Sequence, residues 1–437
     1  MKARNFLEID YALLLSVMAL LTVGILFIYS SGVSHDGVFI SREYRRQILW
    51  AGTGLALALT IAMINYRRLY TFSVYIYLAT LALLVYTIIF GWVSGGAARW
   101  LRIGGFGIQV SEFAKIAVII LLARYLSDTK RDSKSFTRFF ICCCIAFIPM
   151  FLVLVQPDLG TALVFIPILL IMTFIAGIAM RYVIFLVSAI MLTGLFLMLP
   201  LWQIHIHGGP LPAMALLTDR RFVLIVILFF GVIAAIALFS YLKYKKMYFF
   251  WILYSVAIIV FSLGSSYVAR MALRNYQLMR LIVFLDPNVD PRGAGWNIIQ
   301  SITAIGAGGL TGQGFLQGTQ SHFRFLPEQS TDFIFSIFSE EAGFVGGIFV
   351  FSLYLIIFFR ILRTMKITAD PFATYICAGL VGMFSFHFII NVGMTMGIMP
   401  ITGIPLLFMS YGGSAVFAAM IGVGLVLGIH LRRYNLT

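Results

Sequence analysis

The sequence predicts an all-α, polytopic integral membrane protein. Hydrophobic residues make up 61% of its 437 residues and charged residues only 11%, and the mean hydropathy is +1.01. Soluble domains carry about 25% charged residues, so this chain has too few charges to cover a water-facing surface. The composition therefore excludes a soluble multidomain enzyme, a secreted disulfide scaffold and a disordered chain.

Apolar runs of about 20 residues mark the membrane-spanning helices. We predict about twelve, at 10–31, 47–65, 70–91, 109–126, 139–155, 160–179, 182–200, 222–242, 248–268, 334–359, 372–392 and 405–430. The longest connection, residues 269–333, is polar and glycine-rich, and its stretch AGWNIIQSITAIGAGGL favours a helix in or near the interface. Loops of this length usually have a function.

The charge distribution indicates how the chain is oriented. The formal net charge is +15, which membrane topology explains better than nucleic-acid binding, so no nucleic acid is expected as a partner. An even number of spans places both termini on the same side of the membrane. If that side is the cytoplasm, most of the lysines and arginines are cytoplasmic, as the positive-inside rule requires. Lys2 and Arg4 before the first span, and Arg432 and Arg433 after the last, support this orientation.

Ionisable residues within spans are costly and point to function. Glu112 and Lys115, at i and i+3 in the fourth span, share a helix face. They form either a structural ion pair or part of a polar cavity that positions a substrate headgroup. Asp158, between Pro157 and Gly160, either caps the following helix or acts directly.

A third acidic cluster follows the long loop. Asp332 stands where a helix starts, and Ser336 and Glu340 lie roughly on the same side of that helix. By position alone, Asp332 is a helix cap, a partner of the helix dipole or a catalytic carboxylate. Five arginines lie in the long loop or at its edges: Arg270, Arg274, Arg280, Arg292 and Arg324. They bind phosphate, contact anionic lipid headgroups or form pairs within the loop.

Five ordered segments together resemble one family. They are RWLRIGGFGIQVSEFAK at 99–115, QPDLGTAL at 156–163, FLDPNVDPRGAGWNIIQS at 284–301, FLPEQSTDFIFSIFSEEAGFVGG at 325–347 and NVGMTMGIMPITGIPLLFMSYGGSA at 391–415. Their order and spacing across most of the chain are similar to the SEDS family (shape, elongation, division and sporulation) of bacterial cell-wall polymerases. The last segment and the FLPE run look more like its RodA branch than its FtsW branch.

This resemblance implies a peptidoglycan glycosyltransferase that polymerises lipid II outside the bacterial cytoplasmic membrane. The family's essential aspartate matches Asp332, its glutamate–lysine pair matches Glu112 and Lys115, and its PDLG aspartate matches Asp158. Many members have His-Thr-Asp where this chain has Ser-Thr-Asp. The family usually has ten spans, so residues 182–242 look like an inserted two-helix hairpin within a single membrane domain.

The resemblance also implies partners: lipid II, membrane lipids and a class B penicillin-binding protein. The assignment of residue roles in the reaction is a hypothesis that goes beyond the motif match. The reaction is an inverting displacement of undecaprenyl pyrophosphate, with Asp332 as the base and Lys115 near the pyrophosphate, helped by arginines or by a divalent cation such as Mg²⁺ or Mn²⁺. Substrate contacts are assigned to Glu112, Lys115, Asp158, Arg270, Arg274, Arg280, Arg324 and Glu340. The alternatives are a lipid II flippase, because broken and charged spans suit transporters, and a non-catalytic scaffold.

Overall fold

The computed structural model describes residues 9–94, 97–103, 106–130, 135–207, 209 and 219–433. Lys2 and Arg4, used above for the orientation, lie outside this part. The helices, in chain order, are α1 (Tyr11–Ser31), α2 (Glu43–Met63), α3 (Arg67–Phe90), α4 (Val110–Asp128), α5 (Phe136–Val155), α6 (Leu159–Leu163), α7 (Phe165–Ile175), α8 (Met180–Trp202), α9 (Arg220–Tyr244), α10 (Met247–Ala272), α11 (Asn275–Leu285), α12 (Ala294–Gly308), α13 (Thr319–His322), α14 (Ile334–Ile367), α15 (Pro371–Thr395) and α16 (Gly413–Leu431). The prediction of an all-α polytopic membrane protein is confirmed.

Every predicted span contains helix, but the count of twelve is not confirmed. Within the described residues, ten helices are long and apolar enough to cross a membrane. Of the other two predicted spans, α4 carries four ionisable residues, and the sixth is divided into the short helices α6 and α7. Charged residues thus set α4 apart from the ten helices, whereas helix length sets α6 and α7 apart.

The predicted span 405–430 is wrong in its first part. Residues 401–412 form no helix, and α16 begins only at Gly413. The segment is apolar enough to read as a span, but Pro405 cannot donate a backbone hydrogen bond and the residues around it take irregular backbone conformations. We call residues 401–412 the buried connector, because most of its side chains are enclosed.

A small antiparallel sheet lies between α3 and α4. Its strands are β1 (Trp92–Ser94), β2 (Ala97–Ile103) and β3 (Phe106–Gln109), paired in the order β1-β2-β3. β3 leads directly into α4 at Val110, so the hairpin fixes where the helix that carries Glu112 begins. No strand was predicted from the sequence in this segment.

The chain clusters into two compact units. The first contains residues 1–178 and 300–437, and the second contains residues 179–299. In the first, α16 packs along α2, and α15 packs against α4, α7 and α14. Small residues allow this close approach: a Cβ on Gly424 of α16 would lie 2.6 Å from the Ala58 carbonyl of α2.

The second unit is built on α10. In it, α8 and α9 both pack against α10, and the Tyr254 hydroxyl donates to the Arg181 carbonyl at 2.6 Å. The hydroxyl of Ser262 donates to the Ala189 carbonyl at 3.2 Å. The predicted hairpin, 182–242, corresponds to α8 and α9, and its status as an insertion stays a prediction.

Helix α14 is broken at Gly343, where φ is +66° and ψ is −165°. A glycine-rich stretch of the long loop fills the break. The amides of Gln313 and Gly314 donate to the carbonyls of Glu340 and Glu341 at 3.0 and 3.1 Å, and the amides of Phe344 and Val345 donate to those of Gly309 and Leu310 at 3.0 and 3.1 Å. The backbone groups that the break frees are thus satisfied by the loop.

Candidate functional site

The buried connector is held by side chains from several helices. Because it is not helical, its carbonyls need partners from elsewhere in the protein. Four side chains donate to four of these carbonyls: Asn391 to Ile404 at 2.8 Å, His387 to Pro405 at 3.0 Å, Tyr354 to Leu407, and Gln47 to Ser410 at 3.1 Å. The connector therefore has a fixed path through the core of the first unit.

Glu112 and Lys115 form an ion pair that is enclosed in this core. The Lys115 ammonium lies 2.9 and 2.8 Å from the two carboxylate oxygens of Glu112 and 3.0 Å from Nε2 of His387. The three side chains are 1–2% exposed. The Pro405 carbonyl can only accept, so Nδ1 of His387 carries the proton and Nε2 accepts from Lys115.

This geometry favours the structural alternative for the pair. An ammonium group has three donors, and here two meet Glu112 and one meets His387. In this arrangement Lys115 has no donor left for a pyrophosphate. Sequence reasoning missed His387, although an ionisable residue within a span is itself a functional signal.

Asp158 caps a helix, as one of its two interpretations predicted. Its Oδ1 accepts from the Thr161 amide at 3.3 Å at the start of α6. Its Oδ2 accepts from the Gln109 side chain at 2.8 Å, and Arg99 lies 3.9 Å from Oδ1. Asp158 thereby joins the β3–α4 junction to α6, and a direct role in the reaction stays a prediction.

Asp332 lies in the turn that precedes α14 and is partly exposed. The helix has Phe333 as its N-cap, so Asp332 stands one residue before the capping position. The backbone of the turn is fixed by its neighbours: Asn391 donates to the Asp332 carbonyl at 2.9 Å, and the Tyr411 amide donates to the Ser330 carbonyl at 2.8 Å. Asn391 and the buried connector thus hold the turn that carries Asp332.

Glu340 is fully buried and holds part of the loop. Its carboxylate accepts from the Gln320 amide at 2.7 Å, the Ser321 amide at 3.1 Å and the Thr319 hydroxyl at 3.2 Å. These contacts fix the start of α13, so the carboxylate stabilises the loop above α14. Its predicted contact with substrate remains untested.

The four arginines assigned to substrate contact fall into different parts of the chain. Arg324 is exposed and belongs to the first unit, as Asp332 does. The other three belong to the second unit: Arg270 near the end of α10, Arg274 just before α11, and Arg280 within α11, where it lies over the Tyr276 ring at 5.7 Å. Their predicted role in substrate binding stays a prediction.

One further buried acidic residue, Glu341, was not predicted. Glu341 accepts from the Leu316 amide at 3.0 Å and from the Ser30 hydroxyl, and its Oε1 lies 3.5 Å from Nε2 of His322. The other ring nitrogen of His322 donates to the Val33 carbonyl at 2.8 Å. Glu341, through its interaction with the ring, raises the pKa of His322, and desolvation opposes this only in part.

The described part of the chain contains no cluster of three or more histidine, cysteine, aspartate or glutamate side chains that could hold a metal ion. The divalent cation considered from the sequence therefore has no all-protein site among these residues. The assistance of a divalent cation at the leaving group stays a prediction.

The fold and this arrangement define a class of protein: a multi-pass α-helical membrane protein that encloses an ion pair and fixes the turn that carries Asp332. The family model of the FtsW, RodA and SpoVE proteins, described as "cell cycle protein", matches residues 11–209 and 211–435. The chain belongs to this family, and the SEDS membership predicted from the sequence is confirmed.

Relatives are similar over their whole length. The peptidoglycan glycosyltransferase RodA of Treponema pallidum is 48% identical over 433 residues, covering 99% of this chain and 100% of the relative. The peptidoglycan glycosyltransferase MrdB of Escherichia coli K12 is 32% identical over 431 residues, covering 98% and 95%. A probable FtsW of Trichlorobacter lovleyi is also 32% identical, over 436 residues, with 97% and 93% covered.

Solved structures share the fold. A peptidoglycan synthase complex that coordinates polymerization and crosslinking contains a chain with a TM-score of 0.66 and 24% identity, and the match covers 98% of this chain and 99% of that one. The rod shape determining protein RodA of Thermus thermophilus gives a TM-score of 0.60 with 22% identity, and the match covers 99% of both chains. At this identity the likeness shows the fold alone.

Proposed function

We propose that this protein is a peptidoglycan glycosyltransferase that polymerises lipid II into glycan strands during cell elongation. The enzyme class predicted from the sequence is confirmed, since full-length relatives at 48% and 32% identity carry that name. The identity to a RodA exceeds the 32% to an FtsW, which supports the elongation role. Multi-pass membrane character follows from the ten apolar helices within the described residues.

One structural observation carries the assignment of the base. Four carboxylates were predicted as site residues: Glu112, Asp158, Asp332 and Glu340. Three of them are buried, while Asp332 is partly exposed. The three buried carboxylates accept hydrogen bonds that hold the protein together. Asp332 is therefore the member of this group whose side chain is accessible to a substrate hydroxyl.

In the proposed reaction, the 4-hydroxyl of the acceptor sugar attacks the anomeric carbon of the donor. The new C–O bond forms as the bond to the lipid pyrophosphate breaks, and Asp332 takes the hydroxyl proton as general base. The leaving group needs positive charge. Because Lys115 is engaged by Glu112 and His387, we assign this role to exposed arginines such as Arg324 rather than to Lys115.

The proposal includes a location and a partner. Both termini lie in the cytoplasm, and the Asp332 turn faces the outer side of the bacterial inner membrane, because this orientation best fits the distribution of lysine and arginine. A class B penicillin-binding protein cross-links the product. The peptidoglycan synthase complex with the same fold, which coordinates polymerization and crosslinking, supports such a partner.

The test is polymerisation of purified lipid II in detergent, with and without the transpeptidase partner. Asp332→Asn keeps the size of the side chain and removes the base, so strand formation should fall by a factor on the order of 10²–10⁴. Glu328→Gln is the matched control, because it removes a neighbouring exposed carboxylate of the same turn. It should remain active.

The assay also separates the alternatives. A flippase makes no glycan in detergent, where there is no membrane to cross, and a scaffold makes none at all. Folded wild-type protein that binds its partner and yet never forms glycan would overturn the proposal. Full activity of Asp332→Asn would instead show that Asp332 is not the general base.

A further inference from the structure

Two polar side chains on α15 link the buried ion pair to the turn that carries Asp332, which we call the acidic turn. His387 and Asn391 are four residues apart, so they lie on the same face of the helix. Both are buried, with exposures of 1% and 0%. Each donates to a carbonyl of the buried connector, and these carbonyls, of Pro405 and Ile404, belong to consecutive residues.

The contacts form one continuous series. Glu112 accepts from Lys115 at 2.8 and 2.9 Å, and Lys115 meets Nε2 of His387 at 3.0 Å. His387 then donates to the connector at 3.0 Å. Asn391 uses its two amide protons on the connector, at 2.8 Å, and on the Asp332 carbonyl, at 2.9 Å.

The chemistry of the partners fixes the orientation of Asn391. Both partners are carbonyl oxygens, which only accept, so the amide nitrogen must face them. Its Oδ1 is buried and has no hydrogen-bond partner among the described residues. A buried acceptor without a partner is unfavourable, and the protein retains it while both N–H groups hold backbone segments.

We propose that His387 and Asn391 are positioning residues, which couple the Glu112–Lys115 pair to the Asp332 turn through the buried connector. Neither contacts the substrate, and Asn391 acts on the backbone of Asp332 rather than on its carboxylate. The ion pair, in this view, sets the place of the general base. The inference rests on the proposed function for its kinetic consequence, but its structural consequence is measurable without catalysis.

Hydrogen exchange of the turn gives that structural test. The amides of Thr331, Asp332 and Phe333 all donate to the Glu328 carbonyl, at 3.2–3.3 Å, so their exchange reports how firmly the turn is held. Asn391→Leu should raise exchange in a peptide covering 328–336 about tenfold or more. It should also lower kcat for glycan formation by about 10–100-fold, with KM changed less than about threefold.

Three changes at His387 test whether the contacts act in series. The Asn side chain places its amide near the position of Nδ1, and that of Gln places it near Nε2. His387→Asn therefore keeps a donor for the connector, His387→Gln keeps an acceptor for Lys115, and His387→Phe keeps neither. A series is broken at any link, so all three should lower kcat equally, within about threefold. Independent local roles would make the loss in His387→Phe the product of the other two.

Lys115→Met tests the far end of the series. Combined with Asn391→Leu, it should lower kcat no further than the more severe single change, because both act through the same connector. His430→Phe is the matched control, since it removes another buried histidine, bonded to Thr364 at 3.1 Å. Exchange in 328–336 should not change in this control.

The outcomes separate this inference from the proposed function. Wild-type protein that makes no glycan would refute the proposed function. The hydrogen-exchange data would still show whether the ion pair is coupled to the Asp332 turn. Exchange in Asn391→Leu and in the His387 variants that matches the His430→Phe control would overturn the inference. Multiplicative losses of kcat in the double variant would also overturn it. Should His387→Phe or the Lys115→Met variants fail to fold, His387→Asn, His387→Gln and Asn391→Leu decide.

Discussion

Removing one partner of the Glu112–Lys115 pair should destabilise the protein far more than removing both. In Lys115→Met, the Glu112 carboxylate stays 2% exposed and loses its two contacts of 2.8 and 2.9 Å. A buried charge left without its partner costs about 3–5 kcal/mol. That is a factor of roughly 10²–10³ or more in the folded-to-unfolded ratio.

Glu112→Gln combined with Lys115→Met removes both charges and should recover most of this loss. The control lies on the same helix: Arg124→Met breaks the pair of Arg124 with Asp128, 3.8 Å apart, whose side chains are 30% and 43% exposed. It also removes one hydrogen bond from Arg124 to the Ser73 hydroxyl, at 3.2 Å. Such exposed pairs contribute about 0–1 kcal/mol. Denaturant or thermal unfolding of the detergent-purified proteins gives the comparison. A single Lys115→Met protein as stable as Arg124→Met would refute the reasoning.

Three further changes test other parts of the fold. Deleting 182–245 should leave polymerase activity but lower stability, because α10 loses packing partners of its own unit; a folded, inactive deletion would make the hairpin part of the catalytic unit. Glu341 raises the pKa of His322. The interaction between the two side chains therefore stabilises the folded protein fully below about pH 6.5, and this stabilisation is lost as pH rises through the raised pKa. His322→Gln should flatten the resulting decline in unfolding temperature above about pH 6.5, and an unchanged profile would contradict this. Gly312→Ala, with φ at +81° and a Cβ 2.0 Å from the Glu341 carbonyl, should destabilise by more than about 1 kcal/mol, whereas Gly306→Ala, with nothing within 4 Å, should be neutral or stabilising.

The sequence predicted the helices well because apolar length is a local property. It failed at 405–412, since an apolar segment with a proline reads as a span until its backbone partners are known. Those partners are distant in sequence: Gln47 bonds to Ser410, 363 residues away. No local pattern reveals such a contact.

The candidate site was predicted unevenly. Asp332 and the Glu112–Lys115 pair came from motifs, and the i, i+3 spacing correctly implied that the pair could meet. His387 and Asn391 were missed, since a lone histidine or asparagine in an apolar helix is ambiguous until its partners are known. The arrangement around Glu341 was missed because it joins α1, α13 and α14.

The break at Gly343 has a consequence for how the protein fits its bilayer. Helix α14 has 34 residues, so at 1.5 Å per residue it measures about 51 Å, well beyond a hydrocarbon core of about 30 Å. Residues 344–367 alone measure about 36 Å and suffice to cross. Both sides of the break are joined through backbone bonds to the glycine-rich loop. A tilt of the crossing portion to match a thinner or thicker bilayer would therefore also move the loop that is bonded to it.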